Sequence, residues 1–141
     1  MKSIFTLFLV ISPLVSISQN SIYTGTYSNK TTTEKGETFE YTLTLQEDGT
    51  FVYHFYRQLQ CESCVEEHFY GKGTWKDAKK GITFYTQKTD IDANHTVNLG
   101  KSKAKLHKKM SKKKSSKKEK ITIRFITSDV PNLNGLQLFK E

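Results

Sequence analysis

The sequence predicts an all-β fold, a single antiparallel up-and-down β-barrel of about eight strands. Residues 39–56, which read FEYTLTLQEDGTFVYHFY, alternate apolar and polar side chains with the two-residue period of half-buried strands. Further short strand-like segments follow, separated by turn residues, and this arrangement is typical of a small sandwich or barrel. No segment shows a convincing amphipathic helical period, and a closed barrel leaves no sheet edge exposed.

The stretch at 39–56 predicts a hairpin with a defined register. Gly49 supplies the positive φ that a three-residue loop requires. With Gln46 facing Thr50, the register pairs Leu45 with Phe51, Leu43 with Tyr53 and Tyr41 with Phe55. These six apolar side chains then share one core face, and His54 points to the outer face.

The other strands are predicted from the same kind of pattern. They cover residues 22–28, 67–76, 82–86, 95–99, 104–107, 120–127 and 135–140. If Cys61 and Cys64 flank a two-residue turn, however, the following strand carries Trp75 on the face opposite the core. We expect a bulge at Gly71 or Gly73 to restore Trp75 to the core, because glycine inside a strand commonly marks a bulge.

The first eighteen residues are typical of a secretory signal peptide. Lys2 precedes an apolar run, and Ser16 and Ser18 are small residues before Gln19. The run is short for a bilayer span, although an uncleaved membrane anchor is the alternative. The sequence therefore predicts cleavage near Ser18-Gln19, export to the periplasm or the medium, and one mature domain at 19–141.

Positive charge is concentrated in one segment, a lysine-rich loop predicted at residues 101–120. The whole chain has a net charge of +8, but this segment holds eleven lysines and one acidic residue, a net charge of +10, so the remainder carries −2. The candidate anion-binding residues are Lys108, Lys109, Lys112, Lys113, Lys114, Lys117 and Lys118. Such a run could bind an anionic surface or polymer, or simply be a solvated, self-repelling loop. It lacks aromatic residues for base stacking, so no specific nucleic-acid binding is expected.

Cys61 and Cys64 predict a disulfide in an exported protein. At the two ends of a β-turn their Cα atoms lie close enough to be bridged. A redox-active pair and a zinc or copper site are the alternatives, the latter with His68 as a further ligand and His54 as another candidate.

Catalytic motifs are missing from the sequence. No Ser/His/Asp order, paired-carboxylate pattern, phosphate-binding glycine loop or helical His-x-x-x-His motif occurs. We therefore expect a protein that is not an enzyme and needs no cofactor. We also expect it to be a monomer.

Four segments carry a resemblance to known proteins: 25–27 (GTY), 43–51 (LTLQEDGTF), 73–76 (GTWK) and 82–84 (ITF). The chain resembles small exported bacterial lipocalin-like proteins and is similar to the N-terminal barrel of copper-resistance lipoproteins. It lacks the lipid-attachment cysteine of the latter, and its paired cysteines lie in a later hairpin, so the copper role does not transfer by position.

The resemblance implies a lipocalin-like barrel that binds a small apolar ligand or an envelope component. Two alternatives stay open. One is an electrostatic module that docks on an anionic polymer or membrane through the lysine-rich loop, and the other is metal binding through the CxxC pair.

Overall fold

The protein is an eight-stranded antiparallel barrel, which confirms the predicted fold class. The computed structural model describes residues 22–78, 81–110 and 119–141, so the predicted signal peptide and its cleavage site lie outside the described residues. The strands are β1 (Gly25–Thr32), β2 (Thr38–Leu45), β3 (Thr50–Gln58), β4 (Glu67–Ala78), β5 (Gly81–Tyr85), β6 (Lys103–Met110), β7 (Glu119–Thr127) and β8 (Gln137–Lys140). A 3-10 turn, Lys88–Asp90, precedes β6.

Each strand pairs with its neighbours in sequence, and β8 returns to pair with β1, so the barrel is closed. The connections β1–β2, β3–β4, β5–β6 and β7–β8 lie at one end, here called the upper end. Residues 22 and 141, and the strand ends that flank the other connections, lie at the lower end. Within the described residues, no helix has the length and apolar character needed to cross a membrane.

The β2–β3 hairpin has the predicted register, with Leu45 opposite Phe51 and Tyr41 opposite Phe55. Gly49 has a φ of 85°, as the short loop requires. The Asp48 carboxylate accepts hydrogen bonds from the backbone N–H (2.9 Å) and the hydroxyl (2.6 Å) of Thr50. These bonds to the charged form hold the pKa of Asp48 below its ordinary value.

The predicted bulge in β4 is wrong. Phe55 pairs with Phe69, Tyr53 with Gly71 and Phe51 with Gly73, in a continuous register. Cys61 and Cys64 do flank a turn, but the Arg57–Glu67 pair encloses an odd number of residues, 58–66. This odd connection, rather than a bulge, puts Trp75 inside the barrel. The register shift that does occur lies between Lys103 and Ala104, where β6 pairs with β7.

Two glycines of β4 make room for neighbouring atoms, Gly73 for the Phe51 ring of β3 and Gly71 for the loop that contains Val97. A Cβ atom at Gly73 would collide with the carbonyl oxygen of Tyr85 and lie 2.9 Å from Cε1 of Phe51. A Cβ atom at Gly71 would lie 2.7 Å from the carbonyl oxygen of Val97. Glycine at these two positions lets neighbouring backbone and ring atoms approach β4 directly.

The lower half of the barrel is filled by side chains. Its core includes Leu45, Phe51, Trp75 and Phe84, all essentially without solvent exposure. The indole N–H of Trp75 donates to the carbonyl of Gln46 (3.1 Å), and its backbone N–H donates to the carbonyl of Gly49 (2.8 Å). Trp75 therefore joins β4 to the β2–β3 loop at the lower end.

Two loops fold over the upper end. The β5–β6 loop buries Leu99, and the β7–β8 loop buries Leu133. The hydroxyls of Ser102 and Ser128 lie 2.8 Å apart in a buried hydrogen bond. Residues 95–99, predicted as a strand, belong to the first of these loops, and Val97 N–H donates a single bond (2.9 Å) to the Tyr70 carbonyl.

The lysine-rich segment is largely strand where the structure describes it. Strand β6 occupies Lys103–Met110, and β7 begins at Glu119. Residues 111–118, which include the candidates Lys112, Lys113, Lys114, Lys117 and Lys118, lie outside the described residues.

We predict that Gly73→Ala lowers the free energy of unfolding by about 1–3 kcal/mol, because the added methyl group overpacks the core. Thr74→Ala, at the exposed neighbouring position, is the control, and its effect is expected to stay below about 1 kcal/mol. Denaturant unfolding followed by circular dichroism measures both. Equal stability of the two variants would contradict the tight packing at Gly73.

Candidate functional site

A cavity of about 410 Å³ lies inside the upper end of the barrel. Its wall on one side is a row of three aromatic rings, Tyr41, Phe55 and Phe69, contributed by β2, β3 and β4. Tyr41 and Phe55 stack with ring centroids 4.7 Å apart, and Phe55 and Phe69 with centroids 5.8 Å apart. The opposite wall is formed by the two upper loops, at residues 96–98 and 129–132.

The register explains why the cavity lies at this height. Lower in the barrel, each β3 ring faces a glycine of β4, so the interior can be filled. At the next inward pair, Phe55 faces Phe69, and the three aligned rings stay half-buried. Half-buried aromatic side chains at a barrel mouth leave apolar surface that a ligand can cover.

One cation lies at the edge of this cavity. Arg57, the next inward residue of β3, donates from Nε to the carboxylate of Glu67, and its guanidinium carbon lies 5.6 Å from the Phe69 ring centroid. This ion pair raises the pKa of Arg57 and lowers the pKa of Glu67. Only Nε is used in that bond, so the terminal guanidinium nitrogens remain as donors.

Two phenols lie in the cavity wall. Tyr53 is 2% exposed, and its hydroxyl makes no hydrogen bond with any described residue. Burial raises the pKa of both Tyr41 and Tyr53, and the proximity of Tyr41 adds to the effect on Tyr53. Both side chains are therefore neutral phenols at physiological pH and can donate a hydrogen bond into the cavity.

The outer face of the same strands carries a histidine pair. His54 lies on the outer face, as predicted, with Nε2 2.9 Å from Nδ1 of His68. The His54 ring also stacks on Tyr70, with centroids 4.5 Å apart. Burial, and then the neighbouring His68, lower the pKa of His54, while Glu40 opposes the shift.

The predicted cysteine pair lies at the upper end, in the β3–β4 connection. Cys61 and Cys64 are at disulfide-bonding distance, with Cα atoms 5.1 Å apart, and Cys64 N–H donates to the Cys61 carbonyl (3.2 Å). The metal candidates Cys61, Cys64 and His68 do not form a ligand group. In the ranges 22–78, 81–110 and 119–141, no three or more His, Cys, Asp or Glu side chains are placed to hold a metal ion.

The two described anion-binding candidates lie on β6. Lys108 pairs with Glu119 (3.6 Å) near the lower rim, whereas Lys109 points outward. The strand ends that flank residues 111–118, Met110 and Glu119, are at the lower end of the barrel, whereas the cavity lies at the upper end.

Sequence reasoning missed several cavity residues, namely Arg57, Phe69, Val97 and Asp129. The alternation of β3 could have placed Arg57 inside, because it continues the inward series of Tyr53 and Phe55. Phe69 was hidden by the assumed turn length.

Comparisons of the chain with protein families, with curated proteins and with solved structures give no match.

The lowered pKa of His54 predicts a pH-dependent stability. The unfolded chain binds a proton at His54 more readily than the folded chain does. The contribution of His54 to the free energy of unfolding is therefore complete above the ordinary histidine pKa and is lost as the pH falls below it. Thermal melts between about pH 7.5 and pH 5 should therefore show a smaller loss for His54→Gln than for the wild type. His107→Gln, on the exposed face of β6, is the control, and an unchanged pH dependence of His54→Gln would refute the assignment.

Proposed function

We propose that the protein is a non-enzymatic, lipocalin-like binding protein whose upper cavity holds a small, largely apolar ligand. The observation that carries the proposal is the row of Tyr41, Phe55 and Phe69 along a cavity of about 410 Å³. This volume lies within the range of about 300–1,000 Å³ common for small-ligand sites. We further propose that a signal peptide directs the protein out of the cytoplasm.

The chemistry of the cavity supports a ligand with one polar end. Aromatic rings line one wall and favour flat apolar groups through stacking and area burial. Arg57 and the phenol of Tyr53 supply hydrogen-bond donors, and the lining also contains the Asp129 carboxylate. A ligand with an apolar body and a single acidic or carbonyl group matches this combination.

A larger groove of about 710 Å³ on the outside of the barrel fits this role less well. It is lined by polar side chains of β4, β5 and the upper loops, among them Lys76, Gln87 and Asn98. It offers one exposed ring, Tyr85, whose centroid already lies 5.7 Å from the Lys76 ammonium. An apolar ligand would therefore find no row of aromatic rings to cover there.

We predict that Val97→Phe weakens the binding of 1-anilinonaphthalene-8-sulfonate by about tenfold or more, because the larger side chain fills the cavity. Val65→Phe, at an exposed position of the β3–β4 connection, is the matched control and should leave the affinity unchanged. Probe fluorescence measures the affinity, and circular dichroism verifies that both variants are folded.

The variant Arg57→Gln tests the effect of charge separately from that of cavity volume. It should weaken the binding of the sulfonate probe but leave the affinity for the neutral probe N-phenyl-1-naphthylamine at the wild-type value. If folded Val97→Phe binds both probes as tightly as the wild type, the ligand site is not this cavity.

A further inference from the structure

A second surface, separate from the cavity, lies on the outside of β6 and β7. The outward side chains of β6 include Lys103, Lys105 and Lys109, and those of β7 include Lys120 and Arg124. All five are exposed. They are here called the basic strand face. The cations on β6 extend over about 20 Å, since a strand rises about 3.3 Å per residue.

The strand register places like charges opposite each other on this face. Lys109 pairs with Lys120, and Lys105 pairs with Arg124. Like charges directly opposite on neighbouring strands destabilise a sheet. If this face bound no partner, a carboxylate at one position of each pair would stabilise the sheet. The like-charge pairs therefore point to an external anion.

The one carboxylate in the described part of strands β5 to β8 is Glu119, which pairs with Lys108 and not with a cation of this face. The outward positions of β5 to β8, in the described part of these strands, hold no Asp or Glu. None of the five cations forms an ion pair with any residue that the structure describes, and Lys120 instead lies 4.8 Å from the Phe139 ring centroid. The positive charge of the face is therefore uncompensated.

We propose that the basic strand face binds a linear acidic polysaccharide, whose sulfate or carboxylate groups lie between the paired cations. A flexible linear chain can follow the convex outside of a barrel along β6 and β7. A flat membrane would touch a convex face over only a small area. Of the rings beside these cations, Phe139 is covered by the Lys120 ammonium and His107 offers only a small imidazole, so base stacking is weak and a single-stranded nucleic acid fits less well.

The test compares the wild type with Lys105→Gln/Lys109→Gln/Arg124→Gln, using dextran sulfate as the probe and neutral dextran as the blank. The triple variant should bind dextran sulfate about tenfold more weakly in calorimetry, and wild-type affinity should fall steeply as salt rises from about 50 to 200 mM. The matched control is Lys30→Gln/Lys35→Gln/Lys88→Gln, which removes the same charge elsewhere and should keep the wild-type affinity.

Stability provides a second readout that does not depend on binding. Removing the like-charge pairs should raise the melting temperature of the triple variant at low salt, whereas dextran sulfate should raise only that of the wild type and the control. Equal loss of affinity in both triple variants, or no loss in either, would overturn the proposal. Tighter wild-type binding to phosphatidylglycerol vesicles or to a single-stranded oligonucleotide would overturn the choice of a polysaccharide.

Discussion

The pairing of β3 with β4 is the constraint on which the interior of this barrel depends. It places Gly73 opposite Phe51 and Gly71 opposite Tyr53, so each large ring of β3 faces a position without a side chain. An eight-stranded barrel has an interior just wide enough for side chains to fill, so glycine opposite Phe51 and Tyr53 frees space for the surrounding core. Pairing a large ring with a glycine therefore lets side chains pack the lower half. The packing stops at Phe55 and Phe69, where a ring faces a ring.

The two ends of the barrel consequently differ. At the lower end Trp75 seals the interior through its bonds to the β2–β3 loop. At the upper end the loops that bury Leu99 and Leu133 cover only part of the opening, and the aromatic row stays half-buried beside them. A stable closed core and an accessible apolar cavity are thus two consequences of one register. The basic strand face lies on other strands, so the two proposed binding activities can be tested independently.

The sequence predicted the fold class and the β2–β3 hairpin because both follow from local alternation and a glycine turn. The predicted register of β4 was wrong, because a one-residue difference in the length of the β3–β4 connection turns every β4 side chain to the other face of the sheet. The sequence also assigned a strand to residues 95–99, since alternation alone cannot separate a strand from a loop that buries Leu99 and forms a single backbone bond to β4. The cavity could not be predicted, because it depends on which residues face each other across three strands. The basic strand face was likewise hidden, since Lys105 and Arg124 oppose each other only through the pairing of β6 with β7.

The most direct test of this account is an NMR titration of the isotope-labelled protein with N-phenyl-1-naphthylamine, observing aromatic and methyl resonances. The account predicts that shift changes concentrate at Tyr41, Phe55, Phe69 and Val97, with Trp75 and Phe84 at the packed end unaffected. Changes confined to outer-face residues, or spread through the packed lower core, would contradict it.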